Sequence, residues 1–337
     1  MRHPLRSIAV FVLLALGGAW LVALPLWFTG GLENPWFSVF AVAMMTTPAL
    51  AALLVVRVVD REPDWRTALG LRPPGPGRRF VGFLVLGLAL SIVMIVAALL
   101  TSAAFGLYRA DLVEFSGFRA YLEPLIADAS PLPMPFELLV LVQAVSIVPA
   151  ALINTIPTLG EELGWRGWLL PRLMPLGAAP AVLISGVIWG LWHAPLILLG
   201  YNYPTAPGWL GVLAMCGMCI VVGGVFGWLR VRSGSVWPAA LAHGAFNAAA
   251  GLSLLVGAAG DVVDTIQATI LGWSGWILPA ILVAVLIATG QFRRAPGTVA
   301  PGTVAPGTVA PVTHATSSTV APGGVTPSEP DPTPPSN

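Results

Sequence analysis

The chain has no lysine: all sixteen of its basic residues are arginines, set against fifteen acidic ones. Charge of either sign is scarce, 9% of 337 residues, where soluble domains carry about 25%. Apolar residues reach 56%, more than a soluble fold of this size can cover, so the bilayer is the expected solvent. No basic run interleaves with aromatics, which excludes nucleic acid as a partner. Cysteine is nearly absent too. Cys216 and Cys219 form a C-x-x-C inside an apolar stretch. At helical spacing in lipid they read as two small buried residues rather than a redox or metal motif, and no disulfide framework follows from them.

What is present in abundance is long apolar runs. About 20 such residues cross the hydrocarbon core as a helix. Eight candidates run over 7–27, 36–56, 80–104, 138–159, 179–199, 209–229, 236–256 and 269–290. The first follows Arg2 and Arg6, but it is long for a signal peptide and lacks a clear small-residue cleavage site, so it reads as a membrane anchor. The expected fold is all-α: a polytopic membrane protein with an eight-transmembrane-helix bundle.

The arginines orient these runs. With the N-terminus cytoplasmic, alternate crossings place Arg2, Arg6, Arg57, Arg61, Arg66, Arg72, Arg78, Arg79, Arg166, Arg172, Arg230, Arg232, Arg293 and Arg294 on the cytoplasmic side. Only Arg109 and Arg119 fall opposite, beside Asp111, Glu114, Glu123 and Asp128. This positive-inside asymmetry predicts a multi-pass protein of the cell membrane with both termini cytoplasmic. The bundle is expected over 1–294. Residues 295–337 carry Ala-Pro-Gly-Thr-Val repeats followed by Ser, Thr and Pro, with little apolar bulk, and are expected to be a disordered cytoplasmic tail.

Ionisable residues inside apolar spans are costly and mark candidate sites. The fourth run ends in Gly160-Glu161-Glu162-Leu163-Gly164-Trp165-Arg166. Glu162 and Arg166 lie four apart on one helical face, while Glu161 points about 100° away toward another partner. This spacing predicts a division of labour: Glu162 neutralised by Arg166, and Glu161 available as a proton acceptor. An ordinary salt bridge at a helix end is the plainer reading. His193 lies deep in the fifth run, one turn after Trp189. In the seventh, His243 and Asn247 are four apart, with Gly244 and Ala245 between them permitting close approach of a helix or a substrate backbone. Either histidine alone reads as polar glue between helices. Together, buried polar groups must find one another, so one shared site is the better expectation.

These three motifs resemble the signature of the CPBP intramembrane protease family, the CAAX proteases and bacteriocin-processing enzymes also called the Abi family. The pattern is Glu-Glu-x-x-x-Arg, an aromatic (usually Phe)-x-x-x-His, and His-x-x-x-Asn. Here it reads Glu161-Glu162 with Arg166, Trp189 with His193, and His243 with Asn247, over roughly 157–248. Trp189 stands where Phe is commoner, at a packing position. Leu69-Gly70-Leu71-Arg72 also resembles a recurrent piece of the family's first cytoplasmic loop.

The resemblance implies the bundle of the type II CAAX prenyl endopeptidase and a peptidase acting on a membrane-associated or lipidated protein or peptide, of CAAX or bacteriocin-leader type. It implies Glu161 and His193 as the activators of water, His243 and Asn247 as the oxyanion site, and Glu162 and Arg166 as support. No Ser or Cys stands with a base at helical spacing in these motifs, which disfavours a covalent route. Glu161, His193 and His243 would also make a zinc set with one open position. His-Glu-x-x-His is absent, and a metal-free glutamate mechanism is the preferred expectation. The alternative within this fold is a non-catalytic scaffold or a bacteriocin-immunity factor. A proton-coupled transporter would call for an internal repeat, and the N-terminal half holds no second Glu-Glu motif. Substrate identity and oligomeric state are not encoded legibly.

Overall fold

The computed structural model describes residues 4–73, 77–125 and 134–293. Arg2, Asp128, Arg294 and the tail over 295–337 lie outside the described residues. Those described are helical, with no sheet among them; one isolated antiparallel bridge joins Ala110 to Gly257. The long helices are α1 (Pro4–Ala23), α2 (Phe37–Met45), α3 (Thr47–Leu54), α4 (Gly77–Ala104), α5 (Phe136–Val145), α6 (Ile147–Glu162), α7 (Ala178–Trp192), α8 (Gly208–Ser233), α9 (Trp237–Ala249) and α10 (Trp273–Ala288).

The eight predicted apolar runs are all helical, but their lengths differ from the expectation. By length and composition, four stretches can cross a membrane: Leu5–Phe28, Phe37–Val59, Gly77–Ala104 and Gly208–Ser233. A fifth is the pair Phe136–Val145 and Ile147–Leu176, bent by 44°. The helices α7, α9 and α10 have 15, 13 and 16 residues, short for a full crossing, so length and composition support a polytopic bundle without establishing the count of eight.

The breaks have identifiable causes. Pro149 has no N–H for the Val145 carbonyl, and the Ser146 hydroxyl donates back to Gln143 O at 2.8 Å, so the chain bends there. Pro48 does the same to Met44, where the Thr46 hydroxyl bonds Ala43 O at 2.7 Å. Pro195 ends α7 in the same manner, leaving His193 in the turn.

Large apolar side chains such as Leu13, Leu21, Val85, Leu100, Ile153 and Ile156 face outward, as a lipid-facing surface requires. Inside, Trp165, Trp168, Trp189 and Trp192 are all at most 2% exposed. Helices approach closely where one presents glycine. A Cβ on Gly244 of α9 would lie 2.6 Å from the Ala151 carbonyl oxygen of α6. Gly190 of α7 faces the backbone of Cys216 on α8. Cys216 and Cys219 are free and buried, acting as small packing residues.

Two polar seats hold the arginine-rich end. The segment 69–71 docks on the turn between α8 and α9. Gly70 O accepts from Val236 N (2.9 Å) and the Ser235 hydroxyl (3.1 Å), and Leu71 O accepts from the Trp237 indole (3.1 Å). Nearby, Asp60 accepts from Arg172 Nη2 at 2.8 Å and from the Ser7 hydroxyl at 2.7 Å. The Arg172 guanidinium lies over the Trp168 ring, 4.2 Å from its centroid.

Candidate active site

The site forms where α6, α7 and α9 meet. After Glu162 the helix widens into a π-helical segment, Leu163–Leu169, a local form frequent at functional sites. Gly164 and Gly167 let this wider segment lie against neighbouring backbone, with Cβ positions only 2.8 Å from Pro48 O and Leu69 O respectively. The α6–α9 contact is pinned by Thr158, whose buried hydroxyl donates to Ala240 O at 2.9 Å.

Glu162 is fully buried. Its Oε1 accepts from Arg166 Nη1 at 2.7 Å and pairs with His243 Nδ1 at 3.0 Å. Glu161, 2% exposed, turns to a different helix: its Oε2 accepts the Trp189 indole N–H at 2.8 Å. Adjacent carboxylates are therefore taken by different helices, Glu162 by α9 and Glu161 by α7, as the 100° offset between neighbours on a helix permits.

Trp189 lies at the centre. The Arg166 guanidinium sits over its ring, 4.1 Å from the centroid, in a cation–π geometry. Its ring centroid is 5.3 Å from that of His243 and 5.8 Å from that of His193. Phe226 of α8 closes the other side, 5.6 Å from His243 and 5.4 Å from the Arg166 carbon. Gly223 makes room for Arg166; a Cβ there would lie 2.8 Å from Nη2.

His193 owes its position to the Pro195 break. Its backbone N–H bonds Gly190 O at 3.1 Å, and its ring Nδ1 lies 2.9 Å from the Trp189 carbonyl oxygen. A carbonyl can only accept, so Nδ1 carries the proton and Nε2 is the free, basic nitrogen.

The structure thus gathers Glu161, Glu162, Arg166, Trp189, His193 and His243. It leaves Asn247 apart: this residue lies one turn beyond His243 on α9, exposed and without a hydrogen bond among the described residues. Among the described residues, no three or more His, Cys, Asp or Glu side chains are grouped to hold a metal ion. The sequence reading missed Thr158, Gly223 and Phe226, which are ordinary in type and gain their place only from packing. It placed Trp189 among the supporting residues as a packing neighbour and did not foresee its indole hydrogen bond. The indole N–H at a position one turn from a histidine was the available signal.

A helical bundle with apolar outer faces, in which buried Glu161, Glu162, Arg166 and His243 gather beside half-buried His193, defines a multi-pass membrane protein with a candidate site among its helices. Comparison with known proteins shows what this region is similar to. The description Type II CAAX prenyl endopeptidase Rce1-like matches residues 141–249, which contain every residue of the cluster. CAAX prenyl protease 2 of Methanococcus maripaludis is 35% identical over 57 residues, 17% of this chain and 21% of that relative. The matched stretch therefore spans about a fifth of the relative's length. Both similarities point to the CPBP/CAAX protease family, over the stretch that holds the cluster.

Proposed function

We propose that the protein is an intramembrane endopeptidase that hydrolyses a peptide bond of a membrane-associated or lipidated protein or peptide, of CAAX or leader-processing type. One observation carries the reading: two adjacent buried carboxylates are differently partnered. Glu162 is bound by a cation and an imidazole, whereas among the described residues Glu161 has the Trp189 indole alone as a hydrogen-bond donor. A carboxylate with one oxygen still free can act as a base.

In this reading Glu161 takes a proton from water as the oxygen attacks the peptide carbonyl. His193, with Nε2 free, shares that proton and passes it to the leaving amine, so the proton taken from water ends on the product. His243, held through Nδ1 by Glu162, belongs to the oxyanion site in this reading. Asn247, exposed one turn along α9, supplies a second donor in this reading once substrate is bound. One such donor typically contributes about 10²–10³ in rate. The mechanism is proposed as metal-free. The name of the archaeal relative favours prenylated CAAX peptides for testing.

The test is cleavage of quenched-fluorescent prenylated and leader-type peptides by detergent-purified protein, with Glu161→Ala beside it at an unchanged melting profile. Cleavage should fall at least about 10²-fold in the variant and survive chelators in the wild type. Cleavage that persists in Glu161→Ala would refute the site. Stoichiometric zinc with activity lost on chelation and regained on zinc would refute the metal-free route. No cleavage of any peptide would favour the non-catalytic scaffold or immunity reading.

A further inference from the structure

Resting on the proposed hydrolysis, the geometry points to Trp189 as a positioning residue that fixes which oxygen of Glu161 faces the reacting water. Four contacts converge on it. The indole N–H holds Glu161 Oε2 at 2.8 Å, and the carbonyl of the same residue holds the His193 ring at 2.9 Å. The ring face takes the Arg166 guanidinium, and the ring packs edgewise on His243. One residue therefore touches the base, its imidazole partner, the oxyanion imidazole and the cation that neutralises the second carboxylate.

The consequence for Glu161 is specific. A carboxylate on a two-bond stem can present either oxygen unless one is tied. Here Oε2 is tied, and Oε1 takes no hydrogen bond from the protein among the described residues. Water activated by this carboxylate meets Oε1. The ring also has nowhere to move: it is 2% exposed, and Arg166 and Phe226 (centroid at 6.3 Å) confine it. The indole donor is thus fixed before substrate arrives, the condition under which a hydrogen bond directs a reacting group rather than following it.

Trp189→Phe separates the donor from the ring. It retains an aromatic face for Arg166 and the histidines and loses the N–H together with the volume of the fused ring. A positioning role predicts that kcat falls roughly ten- to a hundredfold, with KM within about twofold, while melting falls by what the lost ring volume costs and the protein stays folded. A packing role alone predicts an unaltered kcat. A second readout is independent of turnover. In protein labelled with ¹⁵N at the indoles, the Trp189 signal is the one lost in Trp189→Phe. It should be shifted downfield in the wild type, and in Glu161→Ala it should move upfield and exchange faster with water while the Trp237 signal stays put. An unchanged kcat in Trp189→Phe, or an indole signal indifferent to Glu161→Ala, overturns the proposal. If the wild type cleaves no peptide, the hydrolase reading fails and takes the positioning role with it, while the indole signal still decides whether Trp189 holds Glu161.

Discussion

Arg166→Met is the sharpest test of how the buried cluster is balanced. Arg166 and Glu162 are 3% and 0% exposed, with Nη1 and Oε1 2.7 Å apart. Removing one partner of such a pair typically costs about 3–5 kcal/mol, because the other charge stays buried without compensation. His243 remains 3.0 Å from the same oxygen and keeps part of the compensation. Methionine retains much of the volume beside Trp189 and Phe226. The expected cost therefore lies near the lower end, about 3 kcal/mol. Adding Glu162→Gln to Arg166→Met removes the stranded charge, so the double variant should be more stable than the sum of the single losses by at least about 1 kcal/mol. Equilibrium unfolding in one fixed detergent–lipid mixture measures all four proteins. A loss under about 1 kcal/mol in Arg166→Met, or strictly additive losses in the double variant, would refute the claim that these charges compensate each other in the interior.

Two further outcomes follow from the rim of the fold. Gly70 has φ +75°, and a Cβ there would lie 2.6 Å from Arg230 Nη2. Gly70→Ala should cost about 1–3 kcal/mol and loosen the seat beneath α9, read as faster hydrogen exchange at the Val236 amide; an unchanged rate would refute the seat. Asp111 accepts N–H groups from Ser116, Glu114 and Val113 at 2.9–3.1 Å. The hydrogen bonds from Ser116, followed by those from Glu114 and Val113, hold its carboxyl well below the usual carboxylate range. Its folded value is depressed, so its contribution is complete above the unfolded value of about 3.9 and is lost as pH falls below that toward the folded value. Proteolysis within 105–117 should therefore quicken as pH drops below about 4, and Asp111→Asn should abolish that dependence; the same acid response in the variant would exclude Asp111 as its source.

Much of this was readable from residue order. Long apolar runs named the helices, and the four-residue spacing of Glu162 and Arg166 named a pair that does form. The 100° offset said that Glu161 would look elsewhere, but not that it would find an indole on α7. Helix ends were less legible. The run predicted over 138–159 is split at Ser146, and that over 236–256 stops at Ala249. Hydropathy counts apolar side chains and ignores where a proline withholds an N–H. The π-helical turn after Glu162 was also hidden, since it depends on Gly164 and Gly167 meeting Pro48 and Leu69, residues about a hundred positions away. Asn247 shows the limit of a helical wheel: sharing a face with His243 did not place it at the same depth.

The two neighbouring carboxylates work mechanically as the pin of a hinge. Glu161 is fastened to α7 and Glu162 to α9, and one peptide bond separates the fastenings. Any tilt of α7 against α9 is therefore delivered as torsion to that single dipeptide. Thr158, one turn upstream and bonded to α9, keeps the pin from sliding along its axis. On the proposed reading, a peptide that wedged these helices apart would strain its own base, and substrate is expected along a path that leaves α7 and α9 in register.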